Sequence, residues 1–174
     1  VQGVTEFLPV SSSAHLALLP WLFGWKDPGQ TFDVALHLGT LAAVAVYFFR
    51  DWRDLLLGAW QDPRGAMGRR LLLLAVATVP ACLAGLLLEK QAETVFRDPA
   101  RIAGALAFFG LLLGAADRWG GRWRDLGGLG LGQALAIGTA QALAIIPGVS
   151  RSGVTMTAGL ALGLSRDAAA RFSF

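Results

Sequence analysis

Long apolar stretches organise the chain. They cover Val34–Phe49, Leu71–Leu88, Ile102–Ala116 and Leu126–Pro147, and charged connections at 50–70, 89–101 and 117–125 separate them. A helix rises about 1.5 Å per residue, so crossing a bilayer takes about 20 apolar residues. Leu71–Leu88 meets that length. Val34–Phe49 meets it when the helix begins at Thr31 and Phe32, and Ile102–Ala116 lies at the short end. The pattern predicts three spanning helices within residues 34–125.

The fourth stretch behaves differently. Residues 126–164 are apolar at both ends and polar in the middle, where Pro147 and Gly148 interrupt the helix in PGVSRSG. Each flanking half reaches about half of a membrane at helical rise. This is the shape of a re-entrant hairpin, which lipid tolerates only where protein or a wet cavity surrounds the irregular backbone. Residues 1–33 share it, with a proline break and a serine turn in TEFLPVSSSAH, residues 5–15. Aligned without gaps, residues 1–14 and 140–153 match Gln2 with Gln141, Val10 with Val149, Ser11 with Ser150 and Ser13 with Ser152. Pro9 and Pro147 fall one position apart. An odd number of spans between the hairpins gives them opposite topology, as an inverted repeat requires.

The predicted fold is therefore all-α: a polytopic integral membrane protein with inverted repeats and two re-entrant helical hairpins. A single transmembrane domain covers 1–174, with the first hairpin at 1–33, three spans and their loops at 34–125, the second hairpin at 126–164 and the start of another helix at 165–174. The chain opens on VQGVTEF without an initiator Met and stops within the helical pattern AAARFSF. It reads as a piece of a longer protein, and it carries no signal-peptide pattern.

Composition supports the membrane class. Charged residues make up 16% and apolar residues 55%, against about 25% charged in a soluble domain. Trp21, Trp25, Trp52, Trp60, Trp119 and Trp123 flank the apolar runs, as interfacial tryptophans do. The single cysteine, Cys82, excludes a disulfide framework and a thiolate metal site. The net charge of +3 is spread over the connections, which argues against nucleic acid as a partner. Five basic residues lie in 50–70, three in 89–101 and three arginines within 117–125. The positive-inside rule then makes the first and third connections cytoplasmic and turns TEFLPVSSSAH toward the outer face. Glycines at 104, 110 and 114 suit close helix packing, and Thr78 with Pro80 predicts a kink.

The polar groups within these hairpins are the candidate chemistry. An arginine in an apolar hairpin is a functional hypothesis by default, and the planar fork of Arg151 matches phosphate. Ser150, Ser152 and Thr155 offer hydroxyls beside it, and helix N-termini attract anions. Ser11, Ser12 and Ser13 serve as a helix cap or a phosphate cradle. Glu6 within a membrane must be neutral, paired or bound to a cation, with Arg151 as one possible ion-pair partner. Gln2 lies four residues earlier on the same helical face. A hard divalent cation suits carboxylate and phosphate oxygens together. His15 shares a face with Ser12, as its base or as the nucleophile itself. His37 near the start of a span reads as structural.

These strings resemble the undecaprenyl-pyrophosphate phosphatase family, bacterial membrane enzymes associated with bacitracin resistance. The likeness rests on QGVTEFLPVSSSAH at 2–15, FDVALHLGTLAAV at 32–44, ATVPA at 77–81 and PGVSRSGVT at 147–155. In the family's first motif, three residues separate a Glu or Gln from a following Glu, here Gln2 and Glu6. The family's histidine falls on His15 and its arginine on Arg151. Ala14 departs from a frequent glycine, and family members are longer. The resemblance implies a multi-pass enzyme of the bacterial inner membrane, with its site facing the periplasm. It implies hydrolysis of a polyprenyl pyrophosphate lipid to undecaprenyl phosphate and inorganic phosphate, recycling the carrier for peptidoglycan synthesis, with Mg2+ or Ca2+ as cofactor.

The expected roles follow. Arg151 with Ser11, Ser13, Ser150, Ser152 and Thr155 grips the pyrophosphate. Glu6, with Gln2, binds the metal. Ser12 attacks with His15 as base, or His15 attacks directly. The alternative is a transporter or flippase for a lipid phosphate or another anion, which would need the arginine but no nucleophile. The oligomeric state stays open, a homodimer included.

Overall fold

Residues 1–26, 29–93, 98–121 and 123–174 are described by a computed structural model, and every regular element among them is helical. An isolated bridge between Arg124 and Leu164 is the one β feature of the described residues. The helices are α1 (Gln2–Thr5), α2 (Ser12–Phe23), α3 (Gln30–Tyr47), α4 (Phe49–Gln61), α5 (Ala66–Glu93), α6 (Pro99–Trp119), α7 (Leu131–Ala142), α8 (Arg151–Ala161) and α9 (Arg166–Ser173). Short 3-10 turns at Leu126–Gly128 and Leu143–Ile145 flank α7.

Side chains written into the sequence start these helices. Ser11, Ser150 and Ser165 cap α2, α8 and α9 by accepting the N–H of the residue three positions on. Asp98 caps α6 in the same way, accepting from the Arg101 N–H at 2.9 Å, with Pro99 in the first turn. Gly24 ends α2 in the left-handed region at φ 65°.

Two helices are long and apolar enough to cross a membrane, Ala66–Leu88 and Pro99–Trp119, and little of either is buried inside the protein. Their apolar faces point outward, as they do when lipid is the solvent. The run at Val34–Phe49 becomes α3, which bends by 65° into α4 and reaches spanning length only if the bent pair is one span. The expected loop at 50–70 is thus corrected: most of it is α4. Its charges suggest a loop, but Leu55 and Ala59, four residues apart, bury one face against α5. The run at Ile102–Ala116 is longer than its apolar part, because Pro99 and Trp119 bound α6. α5 continues as one helix through Pro80. Arg97, in the connection at 89–101, and Arg122, in that at 117–125, lie outside the described residues.

The core gathers where α5, α7, α8 and α9 meet. Leu73 and Ala77 of α5 pack on Ala134 and Ile137 of α7, with Leu160, Leu164 and Phe172 closing the cluster. Gly138 lies against the Ala77 backbone so closely that no Cβ would fit. At the far end, Arg166 forms a bidentate pair with Asp117 at 2.5 and 2.6 Å, tying α9 to α6. That hydrogen bond and the carboxylate charge raise the Arg166 pKa above its ordinary value.

Two helix breaks face each other. The first separates α1 from α2 around Pro9, and the second separates α7 from α8 around Pro147. Gly148 sits at φ 101°, and a Cβ there would lie 2.5 Å from the Ile102 carbonyl oxygen. Gly153, in the first turn of α8, approaches the Pro9 carbonyl: an added Cβ would lie 3.1 Å from that oxygen. The missing side chain lets the two breaks touch.

Candidate active site

The two breaks bring the N-termini of α2 and α8 to one cavity of about 380 Å3, lined by Thr5, Glu6, Ser11–Ser13, His37, Ala144 and Val149–Ser152. The first N–H groups of a helix have no intrahelical acceptor and carry the positive end of its dipole. Two such ends share one wall here, and Arg151 stands beside them.

The serine turns repeat one another in detail. Ser11 Oγ accepts from the Ala14 N–H at 3.4 Å and lies 3.2 Å from Ser13 Oγ. Ser150 Oγ accepts from the Gly153 N–H at 3.1 Å and lies 3.4 Å from Ser152 Oγ. The backbones differ. Ser150 is extended at φ −67°, whereas Ser11 is held at φ 58°. A positive φ in a residue with a Cβ costs about 1–3 kcal/mol and persists only where surroundings enforce it.

Glu6 is the hub of the first half. Its Oε2 accepts from Ser12 Oγ at 2.5 Å and from Gln2 Nε2 at 2.9 Å, and His37 Nε2 lies 3.6 Å away. Ser12 is almost buried, so its hydroxyl is held on the carboxylate rather than on water. Gln2 is also buried, and its Oε1 has no hydrogen-bond partner.

Arg151 is held from behind. One guanidinium nitrogen donates to the Ser173 carbonyl at 2.6 Å, and the group sits 5.9 Å over the Phe174 ring. Arg151 and Glu6 line the same cavity without forming an ion pair. The guanidinium therefore keeps donors for an incoming anion.

Gln2, Glu6, Ser11, Ser12, Ser13, Ser150, Arg151 and Ser152 thus gather around one site. Two predicted residues do not join them. His15 donates from Nδ1 to the Ser11 carbonyl at 2.8 Å and lines a separate cavity with Phe109, Gly148 and Val154. Thr155 is buried behind the α8 turn, its hydroxyl 2.9 Å from the Arg151 carbonyl and donating to Ser173 Oγ at 2.8 Å. One residue of the site was read as structural from the sequence: His37. Its signal was a histidine inside an apolar span, the kind of position that marks function. Ser173 carried no signal, since its role is to offer a carbonyl.

The whole chain, residues 1–174, matches the family model described as bacitracin resistance protein BacA. Across all of its residues it is 58% identical to an undecaprenyl-diphosphatase of Moorella thermoacetica, 54% to one of Gemmatimonas aurantiaca and 55% to one of Desulforudis audaxviator. It spans 67% of the length of each. The likeness extends through both helix breaks, both serine turns and the helices between them, and so the chain belongs to the bacitracin resistance protein BacA family.

Proposed function

We propose that this chain forms the catalytic part of an undecaprenyl-diphosphatase, which hydrolyses a polyprenyl pyrophosphate to the lipid monophosphate and inorganic phosphate. One observation carries the reading: the Ser12 hydroxyl bonded at 2.5 Å to the Glu6 carboxylate, in a cavity shared with Arg151. A carrier needs the arginine but has no use for a nucleophile poised on a base.

In this mechanism Arg151 and the helix N-termini hold the terminal phosphoryl group. Glu6 takes the Ser12 proton as Oγ bonds to the terminal phosphorus. The bond from phosphorus to the bridging oxygen breaks, and its electrons leave with the lipid monophosphate. Water then attacks the phosphoserine, phosphate departs, and Ser12 regains its proton. Glu6 replaces His15 as the proposed base because it holds the hydroxyl, whereas His15 holds the Ser11 backbone. Phosphoryl transfer depends mainly on position and charge, which is what this arrangement supplies.

The site suits a hard divalent cation such as Mg2+ or Ca2+. Ser12, Gln2 and His37 all meet Glu6 at Oε2, which leaves Oε1, and Gln2 adds a buried amide oxygen without a donor. Among the described residues no cluster of three or more His, Cys, Asp or Glu forms a closed cage. One carboxylate with substrate phosphate oxygens is how Mg2+ is commonly held. Bound there by Glu6 and Gln2, the cation would offset the charge repulsion that slows attack on an anion.

The same reading makes α1–α2 and α7–α8 two re-entrant hairpins related as an inverted repeat. Their matching serine caps, hydroxyl pairs and proline breaks support it. The charge distribution supports an inner-membrane protein with the site open to the periplasm.

Phosphate release from undecaprenyl pyrophosphate by the full-length protein in detergent, with and without EDTA, tests the reading. Release should depend on metal. Ser12→Ala should lower it by at least about 10³-fold, and Arg151→Ala by about 10²–10³-fold. Normal turnover in Ser12→Ala would refute the mechanism.

A further inference from the structure

Two cavities meet at this site. Besides the polar one there is an apolar groove of about 670 Å3, walled by Val34, Leu38, Leu41, Val44 and Phe49. Glu6, His37 and Arg151 line both. Glu6 and Arg151 have work in the mechanism above, and His37 has none.

The His37 ring is held in one orientation. Nδ1 lies 2.7 Å from the Asp33 carbonyl, which can only accept, so Nδ1 carries a hydrogen. Nε2 then faces the seam, 3.6 Å from Glu6 Oε2, with the side chain 42% exposed. A histidine that merely packed would close its second nitrogen against protein. This one opens on both cavities. With Nδ1 engaged on the Asp33 carbonyl, Nε2 is the ring atom offered to a phosphate that spans the seam.

A lipid pyrophosphate lying across the seam has its terminal phosphoryl at Ser12 and its chain in the groove. The phosphate that bears the chain falls between them. We propose that His37 binds this chain-bearing phosphate at the seam, and so sets the terminal phosphorus in line with Ser12. The proposal rests on the phosphatase reading above. It assigns the two products to different residues: the lipid monophosphate to His37, and inorganic phosphate to the serine turns and Arg151.

Product inhibition separates the two. The full-length protein in detergent is compared with His37→Ala and with His37→Gln, which keeps an N–H donor near the position of Nε2. In His37→Ala, inhibition by polyprenyl monophosphate should weaken about 10-fold, and the KM for the lipid pyrophosphate should rise by the same factor. Inhibition by inorganic phosphate should not change. His37→Gln should recover most of both losses. The rise in melting temperature produced by polyprenyl monophosphate, which needs no turnover, should shrink in parallel in His37→Ala. Unchanged inhibition by the monophosphate, or an equal loss for inorganic phosphate, overturns the proposal. So does a fall confined to kcat, which would make His37 a support for the Glu6 charge. Wild-type protein that binds the monophosphate yet releases no phosphate would defeat the phosphatase reading alone, and the melting shift would still judge His37.

Discussion

Ser11 and His15 form a support for Ser12. Ser11 is held at φ 58°, and the His15 ring fastens its carbonyl at 2.8 Å. Ser12 follows directly, so its direction toward Glu6 depends on that fixed backbone. His15→Ala removes one hydrogen bond, a loss of about 1 kcal/mol, and frees the Ser11 backbone that aims Ser12. It should lower both the melting temperature and the turnover, whereas Ser12→Ala should lower turnover and leave the melting temperature nearly unchanged. Thermal unfolding of the two variants side by side checks this. At this scale the sequence was informative where chemistry is dense. Three serines beside a glutamate, and an arginine inside an apolar stretch, declare themselves. His37 did not, because its partner Glu6 lies across a tertiary contact and no local pattern joins them. The direction of the His15 ring was equally hidden. Helical spacing puts it on the Ser12 face, but the α2 cap turns it back onto Ser11.

The helices were legible where apolar length decides, and illegible where one face decides. α5 and α6 follow from their runs. α4 was masked by Arg50, Asp51, Arg53 and Asp54, which lie along one turn and hide the Leu55–Ala59 contact face. The second break was predicted from Pro147 and Gly148, and its geometry explains why that pair is needed. Pro147 denies the helix a donor, and Gly148 takes a φ of 101° beside the Ile102 carbonyl of α6. Gly148→Ala must strain the backbone and also push α6 away. The expected loss is about 2–4 kcal/mol, with activity falling as α8 moves out of line. Denaturation of the purified variant measures the first effect, and phosphate release the second. Wild-type stability in Gly148→Ala would mean that the break is looser than described.

On the scale of the whole molecule, the outward apolar faces of α5 and α6 make lipid part of the fold. Trp60, Trp119 and Trp123 are exposed near helix ends, as interfacial tryptophans are. The proposed orientation puts the turn between α4 and α5 on the cytoplasmic side. Arg64→Cys, made in a Cys82→Ser background, should react with a membrane-impermeant thiol reagent only in inverted vesicles. Labelling in intact cells would reverse the orientation. One consequence reaches back to the site. The Arg151 guanidinium hangs on the carbonyl of Ser173, 22 residues downstream at the end of α9. α9 therefore works as a ruler that sets how far the positive charge reaches toward Ser12. Its near end is pinned to α6 by the Arg166–Asp117 pair. Small displacements of reacting groups, about 1 Å, can change rates about 10²-fold. A substitution that slides α9 along its axis would detune the enzyme without touching any residue of the cavity.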